Sequence, residues 1–273
     1  MEWSLGRRAQ TRRGEIAWER FGDGFPVVLT HGTPSRSLVW RQIASSLAES
    51  HEVYVWDLLG FGDSERHVDQ DVSLVAHGEV LAELVERWEL DRPALVGHDI
   101  GGAVSLRTHL LEGVAVSHLG LVDAVVLAPW ITPRTREMQR GVGHRSSLPD
   151  AELERSIIDH LRTATVTRLA DDVFRGLFGQ WEGAEGQALY IRNFEQFDEE
   201  HTRAFEPLLS TISVPTAVIW GEQDAWLPVE VGDRVAAGIP DATFTVLPAA
   251  GHFSPEDDPA GVRDGLIDLL NRR

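Results

Sequence analysis

Four short segments of this 273-residue chain carry side chains able to make or break covalent bonds. The first is Leu95-Val96-Gly97-His98-Asp99-Ile100-Gly101-Gly102, where an apolar run gives way to an amphipathic one around a single acidic residue. Glycines on both sides permit a tight strand-to-helix turn. The side chain at its apex would lie beside the first N–H groups of the helix, a favourable place for negative charge. A carboxylate held there can act as a nucleophile or a base. Aspartate is also a preferred helix N-cap, and on this string alone the two readings weigh about equally. The other three segments are His31-Gly32-Thr33-Pro34, Trp220-Gly221-Glu222-Gln223-Asp224 and Ala250-Gly251-His252-Phe253. A histidine oriented by a carboxylate is the usual general base. Taken singly, these are a turn after a strand, a turn aspartate and a surface histidine. Each follows an apolar run, however, and their order makes a coincidence improbable.

The elements that must position these residues alternate between short apolar runs and amphipathic stretches, the pattern of a mostly parallel sheet flanked by helices. Residues 26–30, 52–57, 93–97 and 119–122 read as strands, and residues 37–48, 74–88 and 101–111 as helices. In residues 74–88 the stripe Leu74, Val75, Leu81, Leu84, Val85 and Trp88 has helical spacing. From residue 129 to residue 207 the rhythm breaks into charged, helical sequence with no parallel-strand signal. It resumes at residues 214–220, 229–237, 243–247 and 260–270. The fold class is therefore α/β. The expected core comprises residues 1–128 and 208–273, and residues 129–207 form a helical insertion too long for an ordinary connection. Ligands of such sheets bind at the carboxyl ends of the strands, so an insertion placed there shapes the site.

The bulk composition narrows the partners. A formal charge of −18 makes nucleic acid and anionic membrane surfaces poor candidates. The chain has no cysteine, which removes disulfides, thiolate nucleophiles and Cys-ligated zinc. Neither a signal-like apolar segment nor a run of bilayer-spanning length is present, so cytoplasmic residence is expected. There is no His-Glu-x-x-His pattern or glycine-rich phosphate loop, and we expect no metal and no cofactor.

Together the four motifs resemble the α/β-hydrolase superfamily over nearly the whole chain outside the insertion. Within it, Gly-His-Asp-x-Gly-Gly resembles epoxide hydrolases and haloalkane dehalogenases, whose nucleophile is aspartate. The resemblance implies that Asp99 is the nucleophile, His252 the base and Asp224 its orienting acid. It also implies that the backbone N–H groups of Thr33 and Ile100 form an oxyanion hole and that residues 129–207 are a cap. No Gly-x-Ser-x-Gly occurs, and Ser105 lies inside the helix away from the apex. Asp123 is the alternative acid, since some dehalogenases place theirs after the strand that precedes the cap. Its ordinary reading is a carboxylate satisfied by backbone donors.

An aspartate nucleophile points to a substrate class. Attack on an ester would give a reactive anhydride, whereas attack on a saturated carbon leaves an ordinary alkyl ester that a histidine-activated water can hydrolyse. The expected substrate is a small apolar organic molecule with water as co-substrate, and a homodimer is left open. Epoxide opening in the resembling enzymes uses a pair of cap tyrosines. This chain has two tyrosines, Tyr54 in an apparent core strand and Tyr190 in the cap, so Tyr190 is the candidate donor, with His144 or His160 as substitutes. Haloalkane dehalogenases bind the departing halide with a tryptophan after the nucleophile and often an asparagine before the proline. Those positions are Ile100 and Thr33 here, leaving Trp130 and Trp181 as candidate indole donors. Haloacid dehalogenases carry arginines just after the nucleophile, where this chain has Ile100 and Ala103. Epoxide hydrolysis is favoured, with haloalkane dehalogenation as the alternative. A cofactor-free lyase or isomerase, or a binding protein that has lost turnover, completes the set.

Overall fold

The computed structural model describes residues 3–140 and 150–272. Its centre is an eight-stranded sheet in the order β1-β2-β4-β3-β5-β6-β7-β8. The parallel strands are β3 (Phe25–Thr30), β4 (His51–Trp56), β5 (Ala94–His98), β6 (His118–Val122), β7 (Thr216–Gly221) and β8 (Thr243–Leu247). The central ones are covered on both faces and are almost continuously apolar, as that burial requires. Val27, Val28, Leu29, Leu95, Val96, Leu119, Leu121, Val218 and Ile219 are all completely buried.

The N-terminal edge departs from the sequence expectation. Strands β1 (Arg7–Thr11) and β2 (Gly14–Phe21) form an antiparallel hairpin, and β2 adds antiparallel to β4. The sequence reading assigned no strand there, because Arg-Arg-Ala-Gln-Thr carries no apolar run. The backbone ladder from Arg7–Trp18 to Thr11–Gly14 joins the pair, Ile16 and Ala17 are buried, and Arg7 Nε lies 2.9 Å from Glu19 Oε1 at the surface.

Helices α1 (Arg41–Leu47), α2 (Leu74–Arg87) and α3 (Ile100–Leu110) fill the crossovers, with α2 packed on α3. A 3-10 turn over Ser37–Trp40 precedes α1, dividing the single helix expected over residues 37–48. The Ser73 hydroxyl caps α2 by accepting from Ala76 N.

After β6 the chain leaves the sheet. It runs through α4 (Pro133–Arg140), α5 (Asp150–Leu161), α6 (Asp171–Phe178), α7 (Gly183–Glu195) and α8 (Glu200–Arg203) before rejoining at β7. No strand occurs among the described residues of this stretch. Helix α9 (Val229–Gly238) then joins β7 to β8, and α10 (Ser254–Asp257) and α11 (Pro259–Leu270) close the chain, α11 packing against α1. None of the described helices is long and apolar enough to cross a membrane. Asp99, Asp123, Asp224 and His252 all leave the carboxyl ends of neighbouring parallel strands, so one sheet edge gathers them.

Candidate active site

Asp99 sits between β5 and α3 with φ 53° and ψ −123°, a conformation costly for any residue other than glycine. Its neighbours make that turn compulsory. A Cβ on Gly97 would fall 2.1 Å from the Gly101 carbonyl oxygen, and one on Gly101 would fall 2.4 Å from that of Thr30. Backbone bonds clamp the apex: Asp99 N donates to Val122 O, while Gly102 N and Val125 N both donate to Asp99 O. The side chain makes no capping bond to α3. It turns across to the loop after β3, where Thr33 N donates to Oδ1 at 2.7 Å. Asp99 thus occupies the N-cap position of α3 without capping it. Gly32 makes the approach possible, since a Cβ there would sit 2.3 Å from that of Asp99.

The other carboxylate oxygen, Oδ2, faces His252, whose Nε2 lies 3.3 Å away. This is an ion-pair distance without hydrogen-bond alignment. On the far side of the ring, Nδ1 meets Asp224 Oδ2 at 2.8 Å. Asp224 is itself fixed, because its Oδ1 accepts from Trp226 N and Leu227 N, both at 2.8 Å. His252 is fully buried. Burial alone would lower its pKa, but the charges of Asp224 and Asp99 outweigh it and raise the value well above the ordinary 6.5.

Asp123 lies one strand over and does not reach the imidazole by a hydrogen bond. Its Oδ1 accepts from Gly221 N at 2.7 Å and its Oδ2 from the Ser254 hydroxyl. Burial, reinforced by the charge of Asp224, raises its pKa well above the usual carboxylate range. The two candidate acids are thus separated by geometry, with Asp224 alone on the ring.

Above Asp99 and His252 opens a cavity walled mainly by apolar and aromatic side chains, among them Ile100, Val125, Trp130, Phe194 and Trp226. Several cap candidates from the sequence are placed elsewhere or already engaged. Tyr190 is not among the lining residues; it packs between the rings of Trp181 and Phe194 at 5.7 and 4.7 Å. Trp181 donates its indole N–H to Pro34 O, and Trp130, whose ring does line the cavity, donates its own to Thr202 Oγ1. Buried indole N–H groups need partners, and these two have found them in the protein. In this structure Tyr190 thus lies off the cavity lining, and the indole N–H groups of Trp130 and Trp181 point to protein acceptors rather than into the cavity.

His160 is different. It lines the cavity, stacked on Trp226 at 4.4 Å, while Trp226 lies 4.8 Å from His252. Burial, then the nearby Arg134 and His252, lower the His160 pKa to about 3 and keep the ring neutral. His144 lies outside the described residues. Trp226 was not singled out from the sequence. Its signal was position, two residues after Asp224 in the same loop.

The chain from residue 26 to residue 259 matches the family model for the α/β hydrolase fold. The chain belongs to the α/β-hydrolase fold family. Among curated relatives, haloalkane dehalogenase 2 of Mycobacterium tuberculosis is 28% identical over 271 residues, covering 94% of this chain and 91% of that protein. An α/β-hydrolase fold protein from Burkholderia ambifaria superposes with a TM-score of 0.93 at 34% identity, over 97% of this chain and 98% of that one. A thermophilic esterase from Thermogutta terrifontis superposes at 0.75 with 25% identity, over 97% and 98%. Relatives with such different names share the α/β-hydrolase fold, so membership fixes the scaffold and leaves the reaction to the site.

Proposed function

We propose that the protein is a hydrolase whose nucleophile is the Asp99 carboxylate, acting on small apolar substrates at a saturated carbon, with epoxides as the substrate class. The observation that carries this reading is the placement of Asp99: Oδ1 on the Thr33 N–H at 2.7 Å, and Oδ2 at 3.3 Å from a histidine that Asp224 orients. In the first step Oδ2 forms a bond to a ring carbon as the carbon–oxygen bond of the epoxide breaks, and the electron pair stays on the leaving oxygen. That oxygen needs a proton. His252 carries one while both carboxylates are charged, and esterification removes the charge of Asp99 and with it part of what holds the proton. The alkoxide takes its proton from solvent water, and the proton that His252 releases makes good the loss, so the ring enters the second step neutral. In the second step it takes a proton from water as the water attacks the ester carbonyl. The developing oxyanion is the former Oδ1, facing Thr33 N–H, with the Ile100 N–H expected as second donor. Collapse expels the diol oxygen, which takes the proton of the newly added hydroxyl, and returns the Asp99 carboxylate with His252 again protonated.

Haloalkane dehalogenation is the second reading, and the 28% identity to a haloalkane dehalogenase favours it. Against it stand Ile100 and Thr33 at the halide-binding positions and the engaged N–H groups of Trp130 and Trp181. His160 instead offers a neutral imidazole inside the cavity to an oxygen leaving group.

The test is a His252→Gln variant incubated with separate pools of epoxides and haloalkanes, followed by peptide mass analysis. A substrate-sized adduct on Asp99 from the epoxide pool is expected. An adduct from the haloalkane pool alone would reverse the choice of leaving group. A folded variant that forms no adduct from either pool would refute the alkyl-enzyme mechanism.

A further inference from the structure

His98 stands immediately before Asp99, is fully buried and takes no part in the chemistry described above. Its Nε2 lies 2.8 Å from the backbone carbonyl oxygen of His252, a contact spanning 154 residues of sequence. A carbonyl accepts, so Nε2 must carry the proton and donate. Burial lowers the ring to about 4, with His252 nearby adding to the effect, so His98 is neutral and Nδ1 is bare. Nδ1 has no hydrogen-bond partner among the described residues. The ring is held by aromatic neighbours, with Phe253 at 4.9 Å, His252 at 5.2 Å and Trp40 edge-on at 6.4 Å.

This single bond joins the residue before the nucleophile to the backbone of the residue that must face it. The His252 imidazole is fixed at one end by Asp224, but its distance from Asp99 also depends on where the main chain of its loop lies. We propose that His98 is the positioning residue for the second chemical step, its Nε2–H holding the His252 backbone so that the imidazole can activate water against the ester on Asp99. The proposal rests on the alkyl-enzyme reading above. It separates the two steps, because attack by Asp99 does not need His252 to be aligned with water, whereas hydrolysis of the ester does. A misplacement of about 1 Å at a reacting group costs roughly a hundredfold in rate.

The experiment compares wild type, His98→Leu and His98→Gln in quenched single turnovers with styrene oxide and with 1-bromobutane. Formation and decay of the Asp99 adduct are followed by peptide mass. Leucine removes the donor, while the glutamine amide reaches a similar position and can donate to the same carbonyl. The expected result is that His98→Leu forms the adduct within about threefold of the wild-type rate and loses it roughly 10- to 100-fold more slowly. His98→Gln should recover most of the loss. An unchanged adduct lifetime in His98→Leu, equal slowing of both steps, or a glutamine variant as poor as the leucine variant would each overturn the proposal. If His252→Gln traps no adduct under the same conditions, the alkyl-enzyme reading fails first and the proposal falls with it. Should His98→Leu not fold, the wild-type protein still decides. Nitrogen-15 NMR should find His98 as the neutral Nε2-protonated tautomer from pH 6 to 8, and an Nδ1-protonated ring would refute the assignment.

Discussion

The carboxyl edge of the sheet and the helices inserted above it treat their polar side chains in opposite ways. Along the edge, each site carboxylate is held by backbone donors: Asp99 by Thr33 N, Asp224 by Trp226 N and Leu227 N, Asp123 by Gly221 N. Gly221 is the last residue of β7, and Thr33, Trp226 and Leu227 lie in the loops that leave β3 and β7. In the inserted segment, the polar tips of Trp130 and Trp181 go to satisfying burial instead. Chemistry is anchored where the backbone is over-determined, and the helical layer supplies shape with His160 as its polar contribution to the cavity.

The sharpest way to break this contrast is to neutralise the two buried acids one at a time. Asp224→Asn removes the acceptor at His252 Nδ1 and should lower turnover roughly 10³-fold or more, as loss of the orienting acid does elsewhere. Asp123→Asn should leave turnover within a few-fold. Asparagine can still accept from Gly221 N and can donate to Ser254, and the buried acid it replaces already favours the neutral form. Steady-state kinetics on both variants decide, and a reversed order would move the orienting role to Asp123.

A second effect, of intermediate size, is on stability. The folded-state pKa of His252 is raised, so its protonated form stabilises the fold. That contribution is complete below the unfolded value of about 6.5 and is lost as pH rises through the folded value, which lies well above it. Melting curves of wild type and His252→Gln should therefore differ most at or below about pH 6.5 and converge as the pH is raised further. A gap that widens with pH would mean that the imidazole is neutral in the resting enzyme. The smallest effect is expected in the helical layer. Tyr190→Phe should change turnover by no more than a few-fold, because the ring lies outside the cavity lining. A loss of 100-fold or more would restore Tyr190 as a proton donor.

The same contrast explains what could be read from the chain. Apolar runs at residues 26–30, 93–97 and 119–122 became β3, β5 and β6 to within a residue or two, because parallel strands buried on both faces can hardly be anything else. Glycines around Asp99 announced the elbow, since only their missing Cβ atoms allow Gly97 and Gly101 their close approaches. Strand β1 leaves no signal, because a mostly exposed edge strand has no apolar signature, and β2 carries only the short buried pair Ile16 and Ala17 among charged residues. The choice between Asp224 and Asp123 rested on resemblance, because both follow strands and only three-dimensional distance separates them. Directions of cap side chains were also out of reach. Helical spacing identifies a face, but the partners that claimed Trp130 and Trp181 are 72 and 147 residues away.

The central claim is that Asp99 bonds to the substrate, and oxygen isotope tracing tests it most directly. In a single turnover of wild-type enzyme in ¹⁸O-labelled water, with enzyme in excess over an epoxide, the new hydroxyl of the diol comes from Asp99 and the label stays behind. Unlabelled diol and a mass gain of two on the peptide containing Asp99 are the predicted result. Labelled diol with an unlabelled peptide would show that water attacks the substrate directly, and the account of Asp99 as nucleophile would be wrong.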